Sequence, residues 1–399
     1  MNTSRIEPLT SAGDALSTYC DLLFAPLARS DQRRWAEIYV RGLLTTPGRK
    51  SLASISERLL GRRVIQPLQQ FVNQSTWEHA AVRAGLGALA AATIRPRAWA
   101  IDEAAFPKNG SHSVGVARQF AHAPGRTLNC QLALALSLVG EDCDVPVNWR
   151  LMLPECWDRD PARRAKAHVP EHEHHVPRWH HALDLVDELI EHWHLPAAPV
   201  LIDATAEADI EPLLTGLESR GLGYIVEVAR NTLVRRAVGP TIAGAARSVS
   251  AAQCIQATMY KGERITVSWD EGAGARPRQS QFLTVPVPGT GAPGVGRDHR
   301  GHIQRPRVVI AEWPAGWSRA RSQWVTNLAA RSTAHVVALA KQRARTHAAI
   351  DALHTDFGLG DFEGRSYRGW HHHVTLVSAA AAFPSLATRA TLEDVRLAA

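Results

Sequence analysis

Two acidic residues stand at the ends of short apolar strands, and their chemistry is the first question that this chain raises. Asp102 follows the apolar run at 98–101, and Asp203 follows the run at 199–202. Carboxylates displayed at strand ends above a sheet can hold hard divalent cations such as Mg²⁺ or Mn²⁺ for phosphoryl transfer. Turn acids and helix-capping acids have the same pattern, so the two residues alone leave the chemistry open.

The elements that must position these acids follow an α/β pattern. We predict strands at about 98–101, 132–136, 199–202, 224–228 and 308–311, and helices at about 180–193, 209–219, 333–357 and 371–386. Strands and helices that alternate in this way indicate an α/β core. Residues 231–305 are rich in β-branched residues and end in a Gly/Pro stretch, so they predict a β-rich insertion with a flexible loop that splits this core.

Residues 1–95 predict a helical domain, because apolar residues recur there at helical spacing. Basic pairs are interleaved at 33–34, 49–50 and 62–63, which fits a nucleic-acid-binding domain as well as a solvated basic face. The predicted organisation is this domain, a first part of the core at 96–230, the insertion at 231–305 and a second part of the core at 306–399.

Composition narrows the class of protein. The 399 residues carry a formal charge of +7, the sign expected for a partner with a phosphate backbone. No apolar run approaches the roughly 20 residues that span a bilayer, and no export signal is visible, so we expect a cytoplasmic protein without a membrane partner. The five cysteines are odd in number and lack CxxC spacing, which argues against a disulfide framework and against a thiolate zinc site.

Several longer segments resemble one known family. Phe106-Pro107-Lys108, the segment 113–119 and Asn129-Cys130-Gln131 are similar to the first-acid block of an actinobacterial group of DDE superfamily endonucleases, the transposases of insertion sequences. The similarity continues through SDQRRWAEIYVRGLL, LQQFVNQSTW, DPARRAKAHVPE, VVIAEWP, QWVTNLA and GLGDFEGRSYRGWHHHVTLV. It therefore extends over most of the chain.

The resemblance implies an RNase H-like α/β core with an N-terminal helical domain and a β-rich insertion. It also implies two Asp and one Glu that bind Mg²⁺, with one metal ion activating water or a 3′-hydroxyl and the other stabilising the leaving oxygen. Asp102 and Asp203 occupy the positions of the first two acids. They are therefore the expected catalytic residues and metal ligands.

The third acid is where this sequence departs from the family. The family's catalytic Glu falls on His347, within Arg343-Ala344-Arg345-Thr346-His347. Other site positions differ too: the first block reads Asp102-Glu103-Ala104, the second reads Asp203-Ala204-Thr205-Ala206-Glu207, and His354 stands where the family has Lys. The framework segments are retained while the site segments have changed.

The sequence leaves open which residue takes the role of the missing acid. His347, Asp351 and His354 lie at i, i+4 and i+7 and share one helix face, so Asp351 could replace the Glu at a displacement of about 5 to 6 Å. Glu207 is another substitute acid. Alternatively, the imidazole of His347 favours softer divalent ions or metal-free acid/base chemistry.

Four further residues are predicted to contact substrate. Lys108 and Arg118, just after the first acid, could reach a phosphate, as could Arg365 near the C-terminal segment. His354 completes this set.

Three functions follow as hypotheses. The first is a transposase-derived nucleic-acid-handling protein that has lost DNA strand transfer and been repurposed, and the second is an active metal-dependent transposase. The third is a transferase that acts on an RNA-bound substrate such as an aminoacyl-tRNA, with His347 as general base. The expected partner is accordingly DNA or a structured RNA, and a homodimer is one assembly that the sequence leaves open.

Overall fold

The computed structural model describes residues 9–237, 246–259, 262–269, 278–287 and 306–387. Its N-terminal part is helical, as predicted, with α1 (Leu9–Leu23), α2 (Ser30–Thr45), α3 (Leu52–Leu60), α4 (Ile65–Asn73) and α5 (His79–Ile94). Local signals set some of these boundaries. Ser51 caps α3 by accepting a hydrogen bond from the Ser54 amide, and Gly61 ends it in a left-handed conformation with a φ of 65°.

The remaining helices are α6 (Glu155–Asp158), α7 (Pro161–Lys166), α8 (Arg178–Asp187), which a π-helical turn continues (Glu188–His192), α9 (Glu211–Ser219), α10 (Ala251–Thr258), α11 (Thr333–Thr355) and α12 (Tyr367–Ala387). Four of them, α8, α9, α11 and α12, lie at about the predicted positions, whereas α6, α7 and α10 were not predicted. No helix in the described part of the chain is both long and apolar enough to cross a membrane.

One large mixed sheet organises the described strands. The strands are β1 (Ala98–Pro107), β2 (Ala117–Ala121), β3 (Arg126–Val139), β4 (Asp144–Met152), β5 (Val200–Asp203), β6 (Tyr224–Glu227), β7 (Leu233–Ala237), β8 (Ala246–Ser250), β9 (Arg264–Trp269), β10 (Arg278–Val287), β11 (Arg307–Pro314) and β12 (Ser322–Thr326). The order is β2-β3-β1-β5-β6-β12-β11-β10-β9, with β4 also paired to β3. Strands β1, β5 and β6 are parallel, and the other pairs in this sheet are antiparallel. The chain therefore has the predicted α/β class.

The segment predicted as a β-rich insertion is partly continuous with this sheet. It begins with a two-stranded ribbon of β7 and β8, followed by α10, and then β9 and β10 extend the main sheet by pairing outward from β11. Most of the Gly/Pro stretch, residues 288–305, lies outside the described residues. The flexible loop predicted there stays a prediction.

Side chains of successive strand residues alternate between the two faces of the sheet. Other elements cover both of these faces. On one face α11 packs its apolar first half, including Val336 and Val337, against the sheet. On the other face the core is continuous with that of the N-terminal helices. Helix α12 connects the two parts, since it packs against α1, α2, α4, α5 and β4.

Candidate functional site

Three carboxylates lie beside one another on the neighbouring parallel strands β1, β5 and β6. The prediction that the first of these strands ends at Asp102 was wrong, because β1 continues to Pro107. Asp102 is in β1, Asp203 ends β5, and Glu227 ends β6 directly beside Asp203 in the strand register. Each lies two residues after an apolar residue that packs under α11. Because strand side chains alternate, all three acids face α11. We call these three residues the carboxylate cluster.

The guanidinium of Arg343, on α11, lies at the centre of the carboxylate cluster. Its Nη1 donates to Oε2 of Glu227 at 2.9 Å. Its Nη2 donates to Oδ1 of Asp102 at 3.1 Å and to Oδ2 of Asp203 at 3.5 Å. One cation therefore contacts all three acids.

The remaining oxygens of the two Asp residues also accept hydrogen bonds. Thr346 donates its hydroxyl to Oδ2 of Asp102 at 2.7 Å, and Thr205 donates both its amide and its hydroxyl to Oδ1 of Asp203 at 2.8 and 2.6 Å. Each carboxylate oxygen of Asp102 and Asp203 thus has a donor from the protein itself. Asp102 is almost completely buried, with a side chain 1% exposed.

The charges of the carboxylate cluster favour the protonated form of Arg343. Burial acts to lower the pKa of Arg343, but Asp102, Asp203 and Glu227 outweigh it and raise the pKa. Burial likewise opposes ionisation of Asp203, yet Arg343 and the hydrogen bonds from Thr205 bring its pKa below the ordinary value. For Glu227 burial prevails over the attraction of Arg343, and the pKa is raised.

Helix α11 is held over the cluster by two further ion pairs. Arg345 makes a bidentate pair with Asp144, with both distances at 2.8 Å, and donates to the carbonyl oxygen of Gly140 at 2.7 Å. Lys341 pairs with the buried carboxylate of Glu312 at 2.6 Å. These contacts anchor the helix to the start of β4 and to β11, so the position of Arg343 is fixed by its neighbours.

The carboxylate cluster forms part of the wall of a cleft of about 440 Å³. Four carboxyl groups and four cationic side chains line it together with two histidines and two tryptophans: Asp102, Glu103, Asp203, Glu227, Arg178, Arg321, Lys341, Arg343, His122, His347, Trp269 and Trp324. The opposite charges balance. The cleft is therefore close to neutral without any added ion.

Three of the four residues predicted as catalytic lie close together. Asp102, Asp203 and His347 line the same cleft, and His347 is half-buried, with no hydrogen-bond partner within the described residues. Asp351 is exposed one turn further along α11, and it is outside the set that lines the cleft, as is Glu207.

The four residues predicted to bind substrate lie outside the cleft lining. Lys108 donates from Nζ to the carbonyl oxygen of Phe362 at 2.9 Å, and burial lowers its pKa. His354 packs edge-on against the ring of Phe106, and burial lowers its pKa as well. Arg118 and Arg365 are exposed. The structure thus separates these residues from the carboxylate cluster.

The carboxylate cluster does not fit the Mg²⁺ or Mn²⁺ pair that the resemblance implies. Such ions are bound through free carboxylate oxygens, whereas those of Asp102 and Asp203 are occupied by Arg343, Thr346 and Thr205. Across the described residues, no group of three or more His, Cys, Asp or Glu is arranged to hold a metal ion. Arg343 instead supplies the positive charge that contacts these carboxylates.

Glu227 and Arg343 are site residues that were not among the candidates chosen from the sequence. Glu227 ends an apolar strand just as Asp203 does, and this shared pattern could have identified it. Arg343 lies four residues before His347, which places both on the same helix face. Its role could not be read from that spacing, because it depends on three acids from other elements.

A comparison with known protein families identifies the family of this chain. A family model described as DDE superfamily endonuclease matches residues 22–267, more than half of the chain. The chain belongs to this family. The matched region of this DDE superfamily member contains the whole carboxylate cluster but ends before α11, so Arg343 and His347 lie outside it. No curated protein matched the chain.

Proposed function

We propose that this DDE superfamily member is a transposase-derived nucleic-acid-handling protein that has lost DNA strand transfer. The observation that carries the proposal is the contact of one guanidinium, that of Arg343, with Asp102, Asp203 and Glu227. An arginine neutralises carboxylates, but it remains protonated and cannot generate a metal-bound hydroxide. The site can then bind nucleic acid, but it lacks the DNA-cleaving chemistry that two metal ions supply.

The strand arrangement supports an RNase H-like core. In the order β4-β3-β1-β5-β6, strand β3 is antiparallel to both neighbours and β1, β5 and β6 are parallel. This arrangement is the one that the resemblance implies, and it brings the acids of neighbouring strands together. A second difference in the site also supports the loss of DNA cleavage. His347 lines the cleft at the position where the family carries its third acid.

DNA is the partner that family membership favours, and we propose a DNA-binding role in the cytoplasm. The neutral cleft is consistent with that role. A cluster of unpaired carboxylates repels a phosphate backbone, whereas the cations of this cleft equal its carboxylates in number, so a polyanion can approach the cleft without a bound metal ion.

Plasmid nicking tests the proposal. The purified full chain is incubated with supercoiled plasmid and Mg²⁺ or Mn²⁺, with the Asp102→Asn variant as the control for contaminating nuclease. We expect wild type and Asp102→Asn to leave the plasmid equally intact. Nicking by wild type that Asp102→Asn abolishes would show an active nuclease and overturn the proposal.

One observation favours a second candidate, an active metal-dependent transposase. Asp102, Asp203 and Glu227 all contact the guanidinium of Arg343, so this candidate requires Arg343 to move away and leave the three carboxylates to a metal ion. This candidate predicts that wild type cuts DNA with Mn²⁺ and that Glu227→Gln abolishes cutting. Equal inactivity of wild type and Glu227→Gln would exclude it.

A further inference from the structure

Two aromatic side chains stand out on the described surface because they are large, apolar and exposed. Phe120 is 49% exposed and Trp317 is 56% exposed, and the other large apolar residues with comparable exposure in the described part are aliphatic. Aromatic residues are enriched at interfaces relative to the rest of a protein surface. Both of these rings belong to segments that reach the cleft of the carboxylate cluster.

Phe120 lies on the hairpin formed by β2 and β3. The turn of this hairpin contains His122, which lines the cleft and donates its backbone amide to Oε1 of Glu103 at 2.8 Å. The rings of Phe120 and His122 are in edge contact, with centroids 5.0 Å apart. Because strand side chains alternate, Arg118 is on the same face of β2 as Phe120. This hairpin therefore presents an aromatic ring and a cation beside the cleft.

Trp317 lies on the connection between β11 and β12. A turn closed by the Trp317 amide and the Pro314 carbonyl oxygen exposes the indole. The guanidinium of Arg321 lies 6.0 Å from the centre of the indole ring, and Arg321 lines the cleft. The second segment thus repeats the pattern of the first, an exposed ring and a cation at the edge of the same cleft.

Two tryptophans, Trp269 and Trp324, belong to the lining of the cleft itself. Trp269 is half-buried, and the ammonium of Lys341 lies 4.1 Å from the centre of its ring. Aromatic faces interleaved with cations are typical of proteins that bind single-stranded nucleic acid, because every unpaired base has a face that can stack on a ring. Duplex DNA offers no such face, since its bases are stacked on one another.

We propose that Phe120 and Trp317 hold an unpaired DNA strand across the cleft. Bases stack on the two rings, and Arg118 and Arg321 contact the phosphates. The assignment to DNA rests on the proposed function, which takes DNA as the partner. The assignment to an unpaired strand rests on the exposed rings alone.

Fluorescence anisotropy with the full chain tests this binding mode. The probe is a labelled single-stranded DNA of about 16 nucleotides, the upper end of the range bound by one such groove, with EDTA present. Loss of one stacked base costs at least about 1 kcal/mol, so Phe120→Ala and Trp317→Ala should each raise Kd about five-fold or more. The conservative variants Phe120→Trp and Trp317→Phe should keep wild-type affinity.

Controls separate stacking from general charge. Leu22→Ala removes an exposed apolar residue of the N-terminal helices and should leave Kd unchanged. A duplex of the same sequence should bind more weakly than the single strand. The proposal is overturned if both alanine variants bind like wild type, if the duplex binds as tightly as the single strand, or if RNA of the same sequence binds more tightly. EDTA makes this result independent of metal-dependent cutting, so the proposed function can fail without changing it.

Discussion

At the level of single residues, Arg343 stabilises three carboxylates that would otherwise repel one another. Removing one partner of a buried ion pair costs about 3 to 5 kcal/mol, because the remaining charge loses both solvent and counterion. The side chain of Arg343 is 16% exposed and that of Asp102 is 1% exposed. The cost of losing Arg343 should therefore fall in this range at neutral pH.

The free energy of unfolding of the Arg343→Met variant should be about 3 to 5 kcal/mol lower than that of wild type. Because Met leaves three uncompensated carboxylates, Mn²⁺ should raise the melting temperature of this variant and leave that of wild type unchanged. Differential scanning calorimetry with and without Mn²⁺ measures both effects.

Arg345→Met is the matched control for that experiment. It removes an arginine two residues further along α11, and it leaves the single buried carboxylate of Asp144 unpaired. This variant should also be destabilised, but Mn²⁺ should not rescue it, since one carboxylate does not form a metal site. Equal rescue of both variants would contradict the account of the carboxylate cluster.

Thr346 offers a second residue-scale prediction. Thr346→Val keeps the shape of the side chain but leaves Oδ2 of Asp102 without its donor, which should cost about 1 to 3 kcal/mol. Urea denaturation measures the loss. Thr355→Val, an exposed position on the same helix, should change stability by less than about 0.5 kcal/mol, and a similar loss there would show that the hydrogen bond is not the cause.

At the level of elements, α12 carries three buried histidines that the sequence presents as His371-His372-His373. His373 is neutral in a defined tautomer: Tyr39 donates its hydroxyl to Nδ1 at 2.9 Å, and Nε2 donates to the carbonyl oxygen of Leu359 at 3.1 Å. Burial lowers the pKa of His373 to about 4. Packing and hydrogen bonds thus account for His373.

The lowered pKa of His373 predicts a pH dependence of stability. An unfolded histidine titrates near 6.5, so between about pH 6.5 and about pH 4 the unfolded chain binds the proton and the folded chain does not. The free energy of unfolding should therefore fall as pH drops through this window, by up to about 1.4 kcal/mol per pH unit for one such histidine. Denaturation at a series of pH values measures this slope.

Two variants test whether His373 causes this pH dependence. His373→Gln removes the titrating group and should reduce the slope, whereas His172→Gln, at a side chain 82% exposed, should leave it unchanged. A slope that is the same in wild type and His373→Gln would contradict the neutral buried state of His373.

At the level of the whole molecule, the N-terminal helices and the sheet share one core. Arg83 on α5 is buried, and it donates to the Thr375 hydroxyl at 2.7 Å and to the Trp149 carbonyl oxygen at 2.9 Å. These bonds connect α5 with α12 and β4. The helical domain predicted at residues 1–95 is thus joined to the core by α12, an element from the far end of the chain.

The shared core predicts cooperative unfolding. Hydrogen exchange at increasing denaturant should show amides of α5 and β1 opening together, because separating them would expose Arg83 and the apolar face of α12. Earlier opening of α5 at clearly lower denaturant would indicate an independent helical domain instead.

Much of this architecture could be predicted from the sequence, because each long element carries apolar residues at its own period. That periodicity identified the strands carrying Asp102 and Asp203 and the helix carrying His347, although β1 continues to Pro107. It could not reveal that Arg343 reaches Asp102, since the two residues are 241 positions apart and only the sheet order brings them together. The continuation of the sheet through β9 and β10 was missed for the same reason, as strand pairing is not local.

Isothermal titration calorimetry tests our proposal that Arg343 replaces the metal ions of a DDE site. Mg²⁺, Mn²⁺ and Zn²⁺ are titrated in turn into wild type and into a His347→Glu variant, which restores the carboxylate that the family carries at this position. We expect no saturable binding of Mg²⁺ or Mn²⁺ to wild type. Saturable binding of Mg²⁺ to wild type that Asp102→Asn removes would contradict this proposal.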